Sequence, residues 1–210
     1  MPAILITDDH TVVRMGVRIL ITELYPDALI DEADTFDQAI EKLAVNKYDL
    51  ILLDIHIPGG GNVQMIEAIR RRQPEILIAI FTSYEEEIYA LPYIDAGADG
   101  YISKKVSPEE IKRAINSILK NEKHLSAKVL TQLLQQRNRG KEKGKKESPL
   151  SNRELEVMNL LIKGATNSEI KYMLNIHYST VSTYKNSIFR KMGVSNVVDL
   201  INKQKQDKTD

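Results

Sequence analysis

The stretch "ILITDDH", Ile4 to His10, places two adjacent carboxylates directly after a run of branched apolar residues. Near-continuous apolar residues are typical of a strand that is buried on both faces, as in parallel sheets covered by helices. Asp8 and Asp9 follow this strand with almost no loop. Since like charges at close range repel, this ending indicates that other groups balance the negative charge at the end of the strand.

The first half of the chain alternates between strand-like and helix-like segments. Short apolar runs occupy residues 3–7, 28–33, 49–54, 76–81 and 99–103. Amphipathic stretches lie near residues 12–25, 36–46, 63–73, 86–96 and 108–121. Five alternating β and α units predict an α/β fold, a doubly wound five-stranded parallel sheet with helices on both faces. The last helix has a clear start signal, with Ser107 as N-cap and Pro108 at the first helical position.

The composition changes near residue 122, and we expect three segments. These are an α/β domain over 1–122, a linker over 123–147 and a small all-α domain over 148–210. Within the linker region we expect a short helix over 126–136. The basic, glycine-containing run over 137–148 then indicates a flexible connection.

The two halves of the chain carry opposite charge. Residues 1–123 contain 21 Asp and Glu against 13 Lys and Arg, a net charge of −8. Residues 124–210 contain 8 Asp and Glu against 16 Lys and Arg, a net charge of +8. This asymmetry indicates two modules with different partners, with chance drift in surface charge as the alternative.

The C-terminal segment predicts a helix–turn–helix arrangement. A capping box, Ser151 with Glu154, begins its first helix. Further helices are expected over 167–174, along a longer stretch ending near Met192, and from about Ser195. In the longer helix, an apolar stripe at helical spacing is expected to pack inward, consisting of Val181, Tyr184, Ile188 and Met192.

The opposite face of that long helix carries small polar and basic side chains. They are Ser179, Ser182, Thr183, Asn186 and Arg190. Such groups suit the DNA major groove, because Asn pairs bidentately with adenine while Ser and Thr contact several bases. Lys185, Arg190 and Lys191 are expected to meet phosphates. The alternative is a solvated polar face in a protein-binding bundle.

Polar side chains also follow four of the five predicted strands at their carboxyl ends. They are Asp8 and Asp9 after the first strand, Asp54 after the third, Thr82 after the fourth and Lys104 after the fifth. Ligands bind at this edge of open α/β sheets, where the strand order reverses. Mg²⁺ prefers oxygen ligands and would neutralise the carboxylates. A metal, a hydroxyl, an ammonium group and one more carboxylate suit phosphoryl transfer, with Asp54 as the nucleophile.

Each of these residues also has an ordinary structural interpretation. Asp9 would cap the helix that begins near residue 11, and Thr82 would be a plain strand-end residue. Lys104 would be one of two solvated lysines, and Tyr101 would be part of the core. The combination, in order and on the right strands, favours the functional interpretation.

Residues 1–121 resemble a receiver domain of bacterial two-component response regulators. The acidic pair, "LLDIHIP", "FTS" and "GYISK" carry the resemblance. It implies that Asp54 is the phosphoacceptor, that Asp9 is a direct Mg²⁺ ligand and that Asp8 is a second acidic ligand acting largely through water.

The same resemblance implies roles for further residues around the acidic pair. The backbone carbonyl of His56 would complete the metal ligands, and Thr82 and Lys104 would bind the phosphoryl group. Tyr101 would be the aromatic switch. His56 and Tyr84 would flank the path of the water that hydrolyses the phosphoryl group.

Two features depart from the receiver pattern. "GGGN" (59–62) replaces the usual Gly-x-Asp-Gly, and we expect Asn62 to adopt the left-handed conformation that glycine usually supplies. Pro92 lies inside the predicted fourth helix, which it is expected to kink or shorten.

Residues 148–203 resemble the DNA-binding domain of the LuxR/NarL/FixJ family. "LSNRELEVMNLLIKGATNSEI" and "STVSTYKNSIFRKMGV" carry the resemblance. It implies a double-stranded DNA partner and dimerisation through the last helix, around Val197, Val198 and Ile201. Many members have Lys where Ser182 stands, so a base-contacting lysine is not expected at that position and Lys185 is expected to take part of its role.

The composition also indicates the cellular compartment of the protein. The chain has no cysteine, which excludes disulfides and thiolate metal sites. We expect no signal peptide and no transmembrane helix, because no basic-then-apolar leader and no sufficiently long apolar run occur. A cytoplasmic protein without a membrane partner is therefore expected.

These features together predict a response regulator that binds DNA and regulates transcription, and that is not an enzyme. A sensor histidine kinase would donate phosphate to Asp54 in a Mg²⁺-dependent step, and the phosphorylated protein would form a homodimer. One alternative is a phosphorylation-independent DNA-binding protein whose first domain serves only for dimerisation. Another is a metal-dependent phosphatase on a similar sheet.

Overall fold

The computed structural model describes residues 1–60, 62–127, 129–131, 133, 150–174 and 176–209, with the backbone alone at 87, 152 and 205–209. The linker run predicted over 137–148 lies outside the described residues. So does the end of the helix predicted over 126–136, whose described residues 127, 129–131 and 133 are helical.

A five-stranded parallel sheet forms the centre of the first half. Its strands are β1 (Ala3–Thr7), β2 (Leu29–Ala33), β3 (Leu50–Leu53), β4 (Leu77–Thr82) and β5 (Gly100–Ser103). The helices between and after them are α1 (Thr11–Leu24), α2 (Phe36–Val45), α3 (Gln64–Arg72), α4 (Glu86–Asp95) and α5 (Pro108–Leu119). The strand order is β2-β1-β3-β4-β5, so the predicted doubly wound α/β fold is confirmed.

Alternate residues of the strands face two separate apolar layers. Leu5 and Ile51 pack into the layer covered by α2, α3 and α4, whereas Ile4 and Leu50 pack into the layer covered by α1 and α5. All four side chains are fully buried. Burial on both faces explains why the strands have continuous apolar runs instead of alternating with polar residues.

The strand order reverses between β1 and β3, which brings the two acidic strand ends together. Beyond β1, the Asp8 amide donates to the carbonyl of Ala33 at 3.1 Å, and the Asp54 amide donates to the carbonyl of Thr7 at 3.0 Å. These bonds extend the ladder by one residue at each strand end. The backbone of both aspartates is therefore held by the sheet instead of by a loop.

One prediction about the loops of this half was wrong. Asn62 does not have a positive φ; Gly59 does, at 82°, and Asn62 Oδ1 accepts a hydrogen bond from the amide of Gln64 at 2.8 Å. Asn62 thus supports the start of α3. Of the two effects expected of Pro92, shortening does not occur, because α4 continues to Asp95, and the kink stays a prediction.

The second half is helical, as predicted. Its helices are α6 (Asn152–Ile162), α7 (Asn167–Leu174), α8 (Tyr178–Met192) and α9 (Val197–Thr209). The capping box at the start of α6 is present, since Ser151 and Glu154 bond reciprocally through side chain and backbone. Helix α8 ends at Gly193, which adopts the left-handed conformation with φ 64°.

The two halves touch through buried polar side chains. Tyr89 on α4 is fully buried, and its hydroxyl donates to Gln204 Oε1 on α9 at 3.1 Å. Gln204 is 2% exposed. Among the described residues, no helix has the length and apolar character needed to cross a membrane.

A buried charge network fixes α6 to α8. Glu154, whose side chain is 7% exposed, accepts from the Lys191 ammonium at 2.7 Å and from the Ser187 hydroxyl at 2.5 Å. Burial alone would raise the pKa of Glu154. The hydrogen bonds from Lys191, Ser187 and the Ser151 amide outweigh burial and lower that pKa from 4.5 to about 2.

The Glu154 network predicts a specific loss of stability in acid. Because the folded-state pKa lies below the unfolded value, the stabilisation is complete above about pH 4.5 and is lost as pH falls towards 2. We expect Glu154→Gln to lower the free energy of unfolding by about 2–3 kcal/mol at pH 7 and by much less near pH 2.5. Thermal unfolding of the full chain, followed by circular dichroism against pH, measures this difference.

The matched control is the double variant Glu154→Gln/Lys191→Met, which removes both charges. We expect it to be more stable at pH 7 than Lys191→Met alone, which leaves a carboxylate buried without its cation. Equal pH dependence in wild type and Glu154→Gln would contradict this account.

Candidate functional site

Four side chains at the carboxyl edge of the sheet form a compact acidic group. Ligand atoms of Asp8, Asp9, His10 and Asp54 all lie within 4.8 Å of one another. Asp8 is fully buried and Asp54 is 5% exposed, whereas the Asp9 side chain is 39% exposed. The sequence predicted the three carboxylates at this edge, and the structure brings them together.

Lys104 balances the buried part of this charge. Its ammonium lies 2.5 Å from Asp8 Oδ2 and 3.0 Å from Asp54 Oδ2, and its side chain is 11% exposed. The Lys104 amide donates to the carbonyl of Thr82 at 2.8 Å, which anchors the residue directly after β5. Lys104 is therefore not a solvated surface lysine, and its cation explains how two carboxylates can lie at buried strand ends.

Two buried oxygens beside Lys104 have no hydrogen-bond partner among the described residues. They are Asp54 Oδ1 and Thr82 Oγ1. Thr82 is fully buried at the end of β4. Buried polar atoms are nearly always hydrogen-bonded, so two such oxygens at one place indicate that the site is built to receive a polar group.

A cavity of about 250 Å³ opens over these atoms. Its walls include the acidic residues Asp9 and Asp54, the polar residues Thr82 and Lys104, and the rings of His56 and Tyr84. A group of phosphate size fits this volume and would meet a carboxylate, a hydroxyl and an ammonium there.

The structure also separates the possible roles of Asp9 and His10. His10, not Asp9, is the N-cap residue of α1, and no side chain caps that helix. Asp9 is thus available for a ligand. His10 was not among the predicted site residues, yet its Nδ1 lies 2.7 Å from Asp9 Oδ1 and 3.2 Å from Asp8 Oδ1. Its position directly after the acidic pair was the available signal.

Tyr101 is turned inward beneath the cavity. It is 2% exposed, and its hydroxyl donates to the carbonyl of Tyr84 at 3.0 Å. Burial raises the pKa of Tyr101 well above its ordinary value, so the hydroxyl stays protonated and acts as a donor. The ring is part of the core, and its hydroxyl also holds the loop that carries Tyr84.

Aromatic rings connect this cavity to the second half of the chain. The His56 and Tyr84 rings stack with centroids 4.4 Å apart, and Tyr84 lies 5.0 Å from the Tyr89 ring. Tyr89 in turn donates to Gln204 on α9. Packed side chains therefore run without a break from the cavity wall to the last helix.

Helix α8 presents the surface that the sequence predicted. Its inward stripe packs on the core, with Val181 and Ile188 fully inaccessible, Met192 3% exposed and Tyr184 partly buried. The outward side chains are exposed or partly exposed, namely Ser179, Ser182, Thr183, Lys185, Asn186 and Arg190. The face is polar and accessible in this structure, as binding to a nucleic acid requires.

Two details of α7 and α8 were not predicted. Lys191, expected to meet phosphate, is 13% exposed and paired with Glu154, so it holds the fold together. Three apolar side chains are exposed on these helices, since Tyr172 and Met173 on α7 and Tyr178 on α8 are 79%, 67% and 53% exposed. The sequence gives no sign that these side chains are exposed, because apolar residues in a helical pattern are normally assigned to the core.

Comparisons with known proteins agree with both halves. Residues 4–116 match the family "Response regulator receiver domain", and residues 148–203 match "Bacterial regulatory proteins, luxR family". The chain is a response regulator of the LuxR family.

Similar proteins span almost the whole of this response regulator. It is 30% identical to the response regulator UvrY of Escherichia coli (strain K12), over 94% of this chain and 90% of that protein. It is 32% identical to the fimbriae Z protein of Salmonella typhimurium, over 95% of this chain and 94% of that protein. A solved structure of RcsB from Salmonella enterica serovar Typhimurium is also similar, with TM-score 0.74 and 25% identity. The match covers 96% of this chain and 98% of the RcsB chain, which is bound to promoter rprA in the presence of the phosphomimetic BeF3−.

The position of Lys104 predicts that the acidic edge depends on its cation. We expect Lys104→Ala to lower the free energy of unfolding by about 2–4 kcal/mol, because it leaves two buried carboxylates without a counter-charge. Urea unfolding at neutral pH without divalent ions measures the loss. The neighbouring Lys105 is exposed, so Lys105→Ala is the matched control. Equal stability of the two variants would show that Lys104 does not balance the site.

Proposed function

We propose that Asp54 accepts a phosphoryl group and that this modification controls DNA binding by the second half of the chain. The observation that carries the proposal is the unpartnered Oδ1 of Asp54, buried beside Thr82 Oγ1 and the Lys104 ammonium. In the proposed organisation, residues 1–122 receive the phosphoryl group, 123–147 link the domains and 148–210 bind DNA.

The proposed transfer is a displacement at phosphorus. A carboxylate oxygen of Asp54 forms a bond to the phosphorus of the donor, a phosphohistidine of a sensor kinase. The phosphorus–nitrogen bond breaks, and its electron pair stays on the imidazole nitrogen. Lys104 is placed to neutralise the phosphoryl oxygens and Thr82 to donate a hydrogen bond to one of them, which stabilises the charge of the transition state.

The residues present fit a Mg²⁺ ion. Asp9 is not used as a helix cap, Asp8 and Asp54 offer buried oxygens, and hard cations prefer such donors over the imidazole of His10. We propose that Asp9 and Asp54 bind the ion directly, with the backbone carbonyl of His56, and that Asp8 acts largely through water. A bound Mg²⁺ would offset the negative charge that accumulates when a phosphoryl group approaches three carboxylates.

The proposed output is DNA binding by a homodimer in the cytoplasm. The similar RcsB structure is bound to a promoter with a phosphomimetic present, which supports the same order of events here. Helix α9 exposes Val198, at 64%, on the side proposed for dimerisation together with Val197 and Ile201. A bound phosphoryl group adds about −1.5 to −2 charges beside Lys104 and Thr82.

We infer that the effect of this charge is transmitted to the DNA-binding half through the packing of aromatic side chains. Movement of Thr82 and Lys104 towards the phosphoryl group would alter the packing of Tyr84, whose carbonyl is held by Tyr101. Tyr84 packs on Tyr89, which bonds to Gln204. Tyr101 would thus act as the switch residue by releasing or retaining this contact.

The phosphoacceptor assignment predicts a mass gain that depends on one residue. With acetyl phosphate and Mg²⁺, we expect the full chain to gain one phosphoryl group in intact-mass spectra and Asp54→Asn to gain none. Asp9→Asn should need far more Mg²⁺, whereas Asp34→Asn, an exposed acid after β2, should match wild type. Labelling of Asp54→Asn equal to wild type would overturn the assignment, and turnover of phosphate esters would favour a phosphatase.

The DNA-binding assignment predicts a steep dependence on salt. Since phosphate contacts release counterions, the affinity of the phosphorylated chain for duplex DNA should fall by roughly tenfold or more between 50 and 200 mM salt. Lys185→Ala and Arg190→Ala should weaken binding to all sequences and reduce the salt slope. Asn186→Ala should also relax sequence preference. Salt-independent binding would count against contacts with phosphates.

The cavity wall predicts the lifetime of the phosphoryl group. Tyr84 is 4% exposed and lines the cavity, where its ring would restrict the approach of water to phospho-Asp54. We expect Tyr84→Ala to shorten the lifetime several-fold, roughly 3- to 10-fold, as the water becomes easier to align. His56→Ala should have a smaller effect, and Tyr84→Phe should resemble wild type. A dephosphorylation time course without donor tests this, and an unchanged lifetime in Tyr84→Ala would refute shielding.

A further inference from the structure

The amino-terminal half of helix α8 lacks the side chains that usually read guanine. From Tyr178 to Tyr184 the sequence is "YSTVSTY", without Arg or Lys. Arg and Lys donate to guanine O6 and N7 in the most common specific contact of the major groove. Base contacts from this part of the helix must therefore use hydroxyl oxygens and apolar surface.

Two hydroxyl groups on this part of α8 already donate their protons within the helix. Ser182 Oγ donates to the carbonyl of Tyr178 at 3.3 Å, and Thr183 Oγ1 donates to the carbonyl of Ser179 at 3.0 Å. With the proton directed to the backbone, each oxygen presents lone pairs to a groove and acts as an acceptor. In the major groove, the matching donors are the amino groups of adenine and cytosine.

The neighbouring apolar groups distinguish between those two bases. Tyr178, the first residue of α8, is 53% exposed, and the exposed Thr183 adds a methyl group on the outward face of the helix. Apolar side chains at a major groove contact the thymine methyl, which marks the partner of adenine. The partner of cytosine is guanine, whose two acceptors would find no cationic donor on this part of the helix.

The cationic side chains of α8 lie nearer its carboxyl end, and two of them already contact other side chains. Lys185 lies over the Phe189 ring, with its ammonium 5.6 Å from the centroid. Lys191 is held by Glu154, and Arg190 is exposed in the last turn. Asn186, one turn beyond Ser182, is exposed and can pair bidentately with adenine.

We propose that α8 reads A·T base pairs in the major groove, with Ser182, Thr183 and Asn186 on adenine and Tyr178 with the Thr183 methyl on thymine. The proposal rests on the DNA-binding function proposed above and goes further by naming the base class and the residue roles.

Base analogues in the DNA test this assignment. Duplexes bound by the full chain with beryllofluoride and Mg²⁺ are first selected from a random library. Single A·T pairs of the selected half-site are then replaced in three ways. Hypoxanthine·C changes the major groove, 2,6-diaminopurine·T changes only the minor groove, and uracil in place of thymine removes only the methyl group.

We expect A·T pairs at the positions under α8. Hypoxanthine·C should weaken binding by about 5- to 100-fold at a contacted pair, and diaminopurine·T by less than about twofold. Uracil should weaken binding a few-fold in wild type and by less in Tyr178→Ala, which keeps only the Thr183 methyl against thymine. Selection of guanine at these positions, or equal losses from the two purine analogues, would overturn the base assignment.

Substitutions in α8 test which residue makes each base contact. Thr183→Val keeps the methyl group and removes the oxygen, so it should reduce the loss caused by hypoxanthine·C and retain the loss caused by uracil. The exposed Thr22 of α1 makes the same kind of bond, from its hydroxyl to the carbonyl of Arg18 at 2.9 Å. Thr22→Val is therefore the matched control, with no effect on either loss. Failure to select any duplex would contradict the DNA-binding function itself, whereas guanine-rich sites would contradict only the base assignment.

Discussion

The ammonium of Lys104, shared by Asp8 and Asp54, is the interaction on which the site depends. Lys104 follows β5, while Asp54 follows β3, and β4 lies between them. Neighbouring strands are about 4.8 Å apart, so a long side chain is required to reach across β4. The cation offsets the repulsion between two buried carboxylates at the strand ends, at 2.5 and 3.0 Å. One buried oxygen of Asp54 is left without a hydrogen-bond partner among the described residues, and this oxygen gives the site its chemistry.

Most of the fold was predictable because each signal was local or periodic. The strands are continuous apolar runs, and caps such as Ser107 and Ser151 mark helix starts within one residue. The site was predictable because carboxyl ends of parallel strands share an edge. The errors arose where a local rule had more than one solution. Asn62 has two ways to support a turn, by positive φ or by its side chain, and the structure uses the side chain. Pro92 likewise allows two outcomes, a kink or an early end of the helix, and the structure excludes the early end because α4 continues to Asp95.

Charges in the second half were harder to predict because their partners lie far apart in sequence. Lys191 and Glu154 are separated by 37 residues, and only the packing of α6 on α8 brings them together. The bond between Tyr89 and Gln204 spans 115 residues and links the two halves. A helical pattern shows which face is polar, but it does not show which cation on that face is already paired. Once Lys191 is assigned to the fold, the exposed surface of α8 consists mainly of hydroxyl, amide and aromatic groups with cations towards its end.

The central claim is that a phosphoryl group at Asp54 raises the DNA affinity of the whole chain. The most direct measurement is fluorescence anisotropy of a labelled, selected duplex titrated with the full chain, with and without beryllofluoride and Mg²⁺. Wild type should bind roughly 5- to 150-fold more tightly with beryllofluoride, the range typical of coupling between two sites. Asp54→Asn should show one affinity under both conditions. Equal affinities of wild type with and without beryllofluoride, or a full response in Asp54→Asn, would contradict the account.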